Sequence, residues 1–290
     1  MKRLFNNIML LAGVLAAVAT LAIVGASCRM QQRPKPLVVV SIAPQQFLLE
    51  QIAGDRVDVV SLIATQSNPE NYEPKTSDMM KLETAQAYFT IGNIGYEAAI
   101  VSKVKSNNPQ LRIFNNSQGI NFLAGQDADD GDCDPHVWTS VKNAKVIARN
   151  MLSGLVTLYP KQKKYFTRRY NVLCDSLDSL DAQLTRQLAP VRGSTFVIWH
   201  PTLSYFARDY GLKQLALDNG KEPTAADVKR RVELARNSGA RVILVQRQFD
   251  GRAASAINKM IGCTTVEINP MSGDWPGEMR HIASALTAAK

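Results

Sequence analysis

A chain of 290 residues, 46% hydrophobic and 20% charged, has the composition of an ordinary globular protein. That excludes a disordered tail, a collagen-like fibre and a small disulfide scaffold. The net charge of +9 is spread along the sequence with only short clusters such as Lys161-Gln162-Lys163-Lys164, whereas a nucleic-acid binder concentrates its basic residues in a stripe, so no nucleic-acid partner is expected.

The first segment reads as an address. Lys2 and Arg3 precede an apolar run from Ile8 to Val24, followed by Gly25-Ala26-Ser27 and then Cys28. A basic start, an apolar middle and small residues at the cut are the layout of a secretory signal. The apolar run is shorter than the roughly 20 residues of a membrane span. A cysteine directly after small residues resembles a bacterial lipoprotein cleavage site, although Gly25 stands where that pattern prefers Leu. On this reading 1–27 is the signal peptide, Cys28 takes lipid, and 28–36 is a polar tether. An uncleaved anchor and a soluble secreted protein are the alternatives, and all three place the mature chain outside the cytoplasm. The other cysteines, Cys133, Cys174 and Cys263, are odd in number and lack C-x-x-C spacing, so no disulfide or zinc finger is inferred.

The body alternates short β-branched runs with helical patterns. Strands are expected at 37–43, 57–63, 87–92 and 111–114, with helices at 46–52 and 77–86, the second capped by Thr76 or Ser77. The theme returns with strands at 195–200, 214–217, 241–246 and 264–268, and helices at 204–210, 224–238, 253–261 and 278–288. Such alternation argues for mostly parallel sheets flanked by helices. Between the halves, 161–188 carries Phe166, Tyr170, Leu173, Leu177, Leu180, Leu184 and Leu188 in steps of four and three, one face of a long helix that Pro190 and Gly193 stop. A coiled-coil seam is one reading, but the flanking charges show no clear pairing pattern. A strut across two α/β lobes, 37–158 and 190–290 with the linking helix at 161–189, fits better. It predicts a monomer with a cleft between the lobes.

Only three histidines are present. His281 falls within the last helix beside Arg280 and reads as a surface residue. His136, in Asp134-Pro135-His136-Val137-Trp138, precedes a helix beginning near Ser140, and His200 closes a strand. Ligands in α/β sheets bind beyond the carboxyl ends of strands. Asn68-Pro69-Glu70 repeats the form of Asp134-Pro135-His136: an Asx side chain that can bond the local backbone, a proline that fixes φ, then a candidate donor. Asp274 follows the last strand similarly. Glu70, His136, His200 and Asp274, two imidazoles and two carboxylates from four loops, would suit a divalent transition metal. Their convergence is an expectation that only the fold can test.

The residues around these positions resemble the solute-binding proteins of zinc and manganese ABC transporters. The resemblance runs from about Val38 to the C-terminus and rests on Asn68-Pro69-Glu70-Asn71-Tyr72-Glu73-Pro74, Gly92-Asn93-Ile94-Gly95-Tyr96-Glu97, Asp134-Pro135-His136-Val137-Trp138 and the segment from His200 to Leu212. It implies two α/β lobes joined by one long helix, one divalent metal held between them as cargo, and a membrane permease as partner. His136 and His200 fall on metal-ligand positions of that family. Glu70 falls where the family usually has His, and Asp274 near a late position where several members supply Asp. Gln246 stands where many have an acidic residue; an amide is a poor zinc ligand and is left out.

Zinc is favoured over manganese or iron by the Irving–Williams order together with the resemblance. The stretch 127–134 holds five Asp and no His where many zinc members are His-rich, and Gly131 is misplaced for a calcium-binding EF-hand loop. It reads as a solvated acidic loop, with Cys133 as a candidate auxiliary ligand. Two other classes remain. A metallohydrolase would use the same ligands around a metal-bound water, but the chain has no H-E-x-x-H and no clear nucleophile motif. A surface adhesin or structural lipoprotein would not need the binding motifs, and a siderophore- or cobalamin-binding relative would want an open aromatic or Arg-lined cleft.

Overall fold

The computed structural model describes residues 35–125, 133–218, 225–249 and 251–288. The leader, Cys28, the tether up to residue 34 and most of the acidic loop lie outside the described residues. Residues 36–290 form one compact unit.

Two four-stranded sheets make its frame. The first joins β1 (Leu37–Val40), β2 (Asp58–Ser61), β3 (Ala87–Thr90) and β4 (Arg112–Asn115) in the order β2-β1-β3-β4. The second joins β5 (Thr195–Ile198), β6 (Lys213–Ala216), β7 (Val242–Gln246) and β8 (Thr264–Ile268) in the order β6-β5-β7-β8, the same winding repeated. All pairings within both sheets are parallel. Val38, Val39 and Val40 are all fully buried, as a parallel strand covered on both faces requires. Parallel neighbours need crossovers. These are supplied by α1 (Ala43–Ala53), α2 (Thr76–Thr84) and α3 (Gly95–Asn107) in the first half. In the second they are α6 (Ser204–Tyr210), α7 (Ala225–Asn237) and α8 (Gly251–Ile261), and α9 (Trp275–Ala288) closes the chain.

Two local expectations are corrected. Neither Thr76 nor Ser77 caps α2; the carboxylate of Asp78 turns back to accept the Lys75 N–H at 3.0 Å. Helix α3 was not anticipated. Its buried positions Tyr96, Ile100 and Val104 keep helical spacing, but a buried glutamate, Glu97, interrupts the apolar stripe.

Between the sheets run α4 (Val141–Leu158) and α5 (Lys163–Leu188). Ser140 caps α4 by accepting the Asn143 N–H at 3.0 Å. The 26 residues of α5 span about 40 Å. Phe166, Leu173, Leu177, Leu180, Leu184 and Leu188 are buried along it, with Tyr170 half-buried. The stripe is covered within the chain, by α1 and α4 on one side and α6 and α9 on the other, which replaces the coiled-coil alternative. One apolar cluster therefore runs through both lobes, from Val38 and Phe89 to Leu244 and Trp275. Such a core, complete within residues 36–290, lets this unit fold without the leader. At its centre the Trp138 indole N–H donates to Pro270 O at 3.1 Å, and that of Trp275 donates to Trp138 O at 2.8 Å. This reciprocal brace lies two residues from His136.

Candidate metal centre

Each half delivers its donors from beyond the carboxyl ends of its strands. After β2, Asn68 Oδ1 accepts the Glu70 N–H at 3.0 Å; before α4, Asp134 Oδ1 accepts the His136 N–H at 2.8 Å. The repeated Asx-Pro turn thus holds a glutamate in one loop and a histidine in the other. His200 leaves β5, and sheet register decides its neighbours. Ile198 pairs with Ala216 on one side and Leu244 on the other, so two residues further on His200 lies between Asp218 and Gln246.

Gln246 grips the backbone of His200 from both sides. Its carbonyl accepts the His200 N–H at 3.2 Å, and its amide donates to His200 O and, at 2.9 Å, to Thr202 Oγ1. An amide committed in this way cannot also face a metal.

Glu70, His136 and His200 each point one donor atom into a common space, all within 4.8 Å of one another, the only such group among the described residues. Glu70 Oε2 lies 2.9 Å from His200 Nε2, and Oε1 lies 3.6 Å from His136 Nε2. The two imidazole centroids are 5.5 Å apart. Both histidines are 3% exposed, while the Glu70 side chain keeps 30% of its surface, so the carboxylate is the open side of the site. Behind each ring stands another carboxylate. Asp134 Oδ1 is 2.9 Å from His136 Nδ1, and Asp218 Oδ2 is 3.4 Å from His200 Nδ1. Once the ring is neutral, a carboxylate on Nδ1 selects the tautomer whose Nε2 lone pair faces inward, the usual support of a metal-binding histidine. The nearness of His200 Nε2 to Glu70 is not an aligned hydrogen bond, and Nδ1 has none either. Donor atoms that converge on a space rather than on one another fit a cation placed among them. Phe249 stacks on His200 with centroids 5.0 Å apart and planes at 25°, and Pro69, Trp138 and Met271 complete a largely apolar wall.

Charge follows from this arrangement. Burial opposes ionisation of Glu70, but the close His200 ring, 2.9 Å away, and the charges of both histidines outweigh it and hold its pKa below the usual carboxylate value. Burial disfavours protonated His200, yet Asp218 and Glu70 more than compensate and lift its pKa to about 9. Asp134 resists burial through His136 and stays below the ordinary Asp value.

The fourth expected donor is not brought to the cluster. Helix α9 begins at Trp275, three residues before the expected start, which makes Asp274 its N-cap. Its Oδ1 accepts the Gly277 N–H at 3.1 Å and its side chain is exposed. Asp274→Ala is expected to cost about 1 kcal/mol, a fall of roughly 3 °C in Tm, and to leave zinc affinity within twofold; calorimetry of unfolding and of binding checks both. Cys133 is exposed and outside the cluster, and Cys133, Cys174 and Cys263 are all free thiols. His281 is exposed, with Nε2 2.9 Å from Glu267 O. The residue missed from sequence is Asp218, whose position just past a strand was the available signal.

Comparison with known proteins agrees with the fold. A family profile described as ZnuA, zinc-uptake complex component A, periplasmic, matches residues 38–289. A putative metal-binding protein of Chlamydia muridarum is 27% identical over 256 residues, covering 86% of this chain and 90% of its own. The high-affinity zinc uptake system protein ZnuA of Bacillus subtilis is 27% identical over 252 residues, covering 81% and 78%. A crystal structure of ZnuA superposes with a TM-score of 0.83 at 30% identity, covering 88% of this chain and 99% of that one.

Proposed function

This chain belongs to the ZnuA family of periplasmic zinc-uptake components, and on that premise we propose that it captures one divalent metal ion, zinc before manganese, and hands it to an ABC-transporter permease. The observation that carries this reading is the convergence of His136 Nε2, His200 Nε2 and the Glu70 carboxylate. Two neutral imidazoles and one carboxylate supply three ligands of a zinc site, and a fourth position is left to water or to the second Glu70 oxygen. Glu70 in place of a third histidine makes the site harder and favours manganese more than three histidines would, while the Irving–Williams order still ranks zinc above it. The role is capture, not catalysis: the metal is cargo, and the buried rings and apolar wall serve to hold it.

The rest of the reading supports delivery at a membrane. Residues 1–27 act as signal peptide, Cys28 carries lipid, 28–36 tether the protein outside the cytoplasm, and the linking helix 161–189 joins lobes 37–158 and 190–290. The internal covering of α5 supports a monomer. Among the described residues no helix is long and apolar enough to cross a membrane.

The test is bound metal in purified residues 29–290 by elemental mass spectrometry, followed by competition of zinc against manganese. One equivalent of zinc that resists excess manganese, with no hydrolysis of ester or phosphate substrates, is the expected result; retained manganese would reassign the cargo. Glu70→Ala is expected to weaken zinc by about 10- to 100-fold, less than loss of a histidine because water takes the open position. Unchanged affinity there would remove Glu70 from the ligand set.

A further inference from the structure

The fold enlarges one of the short basic clusters of the sequence, bringing Arg56 to the run from Lys161 to Arg169. Helix α1 runs back from the carboxyl end of β1 to the amino edge of the first sheet. There Asp58 N–H donates to Pro36 O at 3.0 Å, so the chain enters the described fold at this edge. The start of α5 lies at the same edge: Tyr159 Oη donates to Gln86 Oε1 at 2.7 Å just before β3, Tyr165 Oη donates to Asp55 Oδ1 at 2.7 Å, and Arg169 Nε donates to Gln51 O at 2.7 Å. Three guanidinium groups gather on the Tyr165 ring, those of Arg56, Arg168 and Arg169, at 5.0, 5.9 and 5.9 Å from its centroid. Lys161 on the turn leading into the same helix, and Lys163 and Lys164 in its first turn, stand exposed. Asp55, whose Oδ1 lies 3.4 Å from Arg56 Nε and accepts from Tyr165, offsets only part of this charge. Six cations gathered so closely repel one another, a cost that an anionic partner would relieve.

We propose that this amino edge of the first lobe is a docking surface for an anionic lipid bilayer. Charge complementarity fits lipid phosphates, and the basic, apolar leader joins the fold at Pro36, on the same edge. Residues 29–36 reach at most about 28 Å from Cys28, so a leader or lipid held in the membrane keeps the patch near headgroups. That part of the argument rests on the lipoprotein reading; the test below does not. Docked in this way the molecule turns its metal centre, at the carboxyl ends of the strands, away from the bilayer, a waiting position that it leaves to meet the permease.

The experiment uses residues 36–290, which carry no leader, and vesicles of phosphatidylcholine with or without 30 mol% phosphatidylglycerol, read by co-sedimentation at low and high salt. Binding is expected to the anionic vesicles alone and to vanish at 0.5 M salt. Each lysine or arginine near such a surface contributes about a fivefold factor. The triple variant Lys161→Gln, Lys164→Gln, Arg168→Gln is therefore expected to lose roughly 100-fold in binding with zinc affinity unchanged. The charge-matched control Lys229→Gln, Arg230→Gln, Arg236→Gln, exposed on α7 of the other lobe, should keep vesicle binding within a few-fold. Equal losses in both variants, no binding to anionic vesicles, or selective binding to soluble polyglutamate but not vesicles would each overturn the proposal, the last in favour of an acidic protein partner. None of these outcomes bears on lipidation of Cys28, which is read separately from the mass of the mature N-terminus.

Discussion

Replacing either His136 or His200 by alanine is expected to lower zinc affinity by about 10²- to 10⁴-fold. Binding at a protein zinc site is worth roughly 10–16 kcal/mol, and in the proposed site each imidazole is one of three protein donors. Water can fill the vacated position but cannot restore a ring nitrogen held in place from behind. For His136 that support is Asp134, bonded to both its ring and its backbone N–H. For His200 it is Asp218 on the ring, Gln246 on the backbone and Phe249 across its face. Each variant removes a buried ring, so some loss of metal-free stability accompanies the loss of binding. Titration calorimetry on folded protein, checked by circular dichroism, separates the two. His→Gln variants, which keep most of the volume and lose the ring nitrogen, should show the same loss of affinity with a smaller change in Tm. Native affinity in either folded alanine variant would sink the assignment of the site.

Zinc affinity is also expected to rise with pH through the neutral range, by about tenfold per pH unit from 7 towards 9. The cause is His200. With its metal-free pKa lifted to about 9, its ring is protonated at pH 7 and must give up that proton before Nε2 can bind a cation. Glu70, held below its usual value, is ionised throughout and adds no slope. Calorimetry in buffers of different ionisation enthalpy should count close to one proton released per zinc at pH 7. A flat affinity profile with no proton release would show that His200 does not bind through Nε2. The same group has a linked effect on the metal-free protein, with a definite sign. Its folded pKa lies above the unfolded value of about 6.5, so the stability it contributes is complete below pH 6.5 and is lost as pH rises towards 9. Metal-free Tm should therefore fall over the window in which zinc binds more tightly.

The parts of this structure that are written locally could be read locally. Runs such as Val38-Val39-Val40 mark strands, the three- and four-residue steps from Phe166 to Leu188 mark the long helix, and the paired Asx-Pro turns mark where Glu70 and His136 are held. His200 was legible because a strand visibly ends there. What was not legible is what parallel register creates. Asp218 and Gln246 lie 18 and 46 residues from His200, and only the pairing of β5 with β6 and β7 sets them at its sides. Asp274 misled for the opposite reason. A carboxylate just past a strand looks the same whether it faces a ligand or caps a helix, and the early start of α9 at Trp275 decided between them. Helix α3 stayed hidden because Glu97, buried and accepting the N–H groups of Ile91 and Gly92 at 2.7 Å each, interrupts the apolar stripe by which a helix is recognised.

The crossed tryptophans and the unbroken α5 have a consequence measured in time. A backbone helix packed on both lobes, with Trp138 and Trp275 locked across the seam, resists the wide gaping by which two-lobed receptors commonly exchange their ligands. What yields more easily is the exposed loop that carries Glu70, tied to the opposite lobe where Gln248 Nε2 donates to Thr65 O at 2.6 Å. Dissociation in free solution then waits on that one loop and should be slow beside uptake. A permease that pries at Thr65–Glu70 would shorten the wait without bending the molecule. Loaded and empty forms would then share nearly one shape and differ chiefly in how long they keep what they hold.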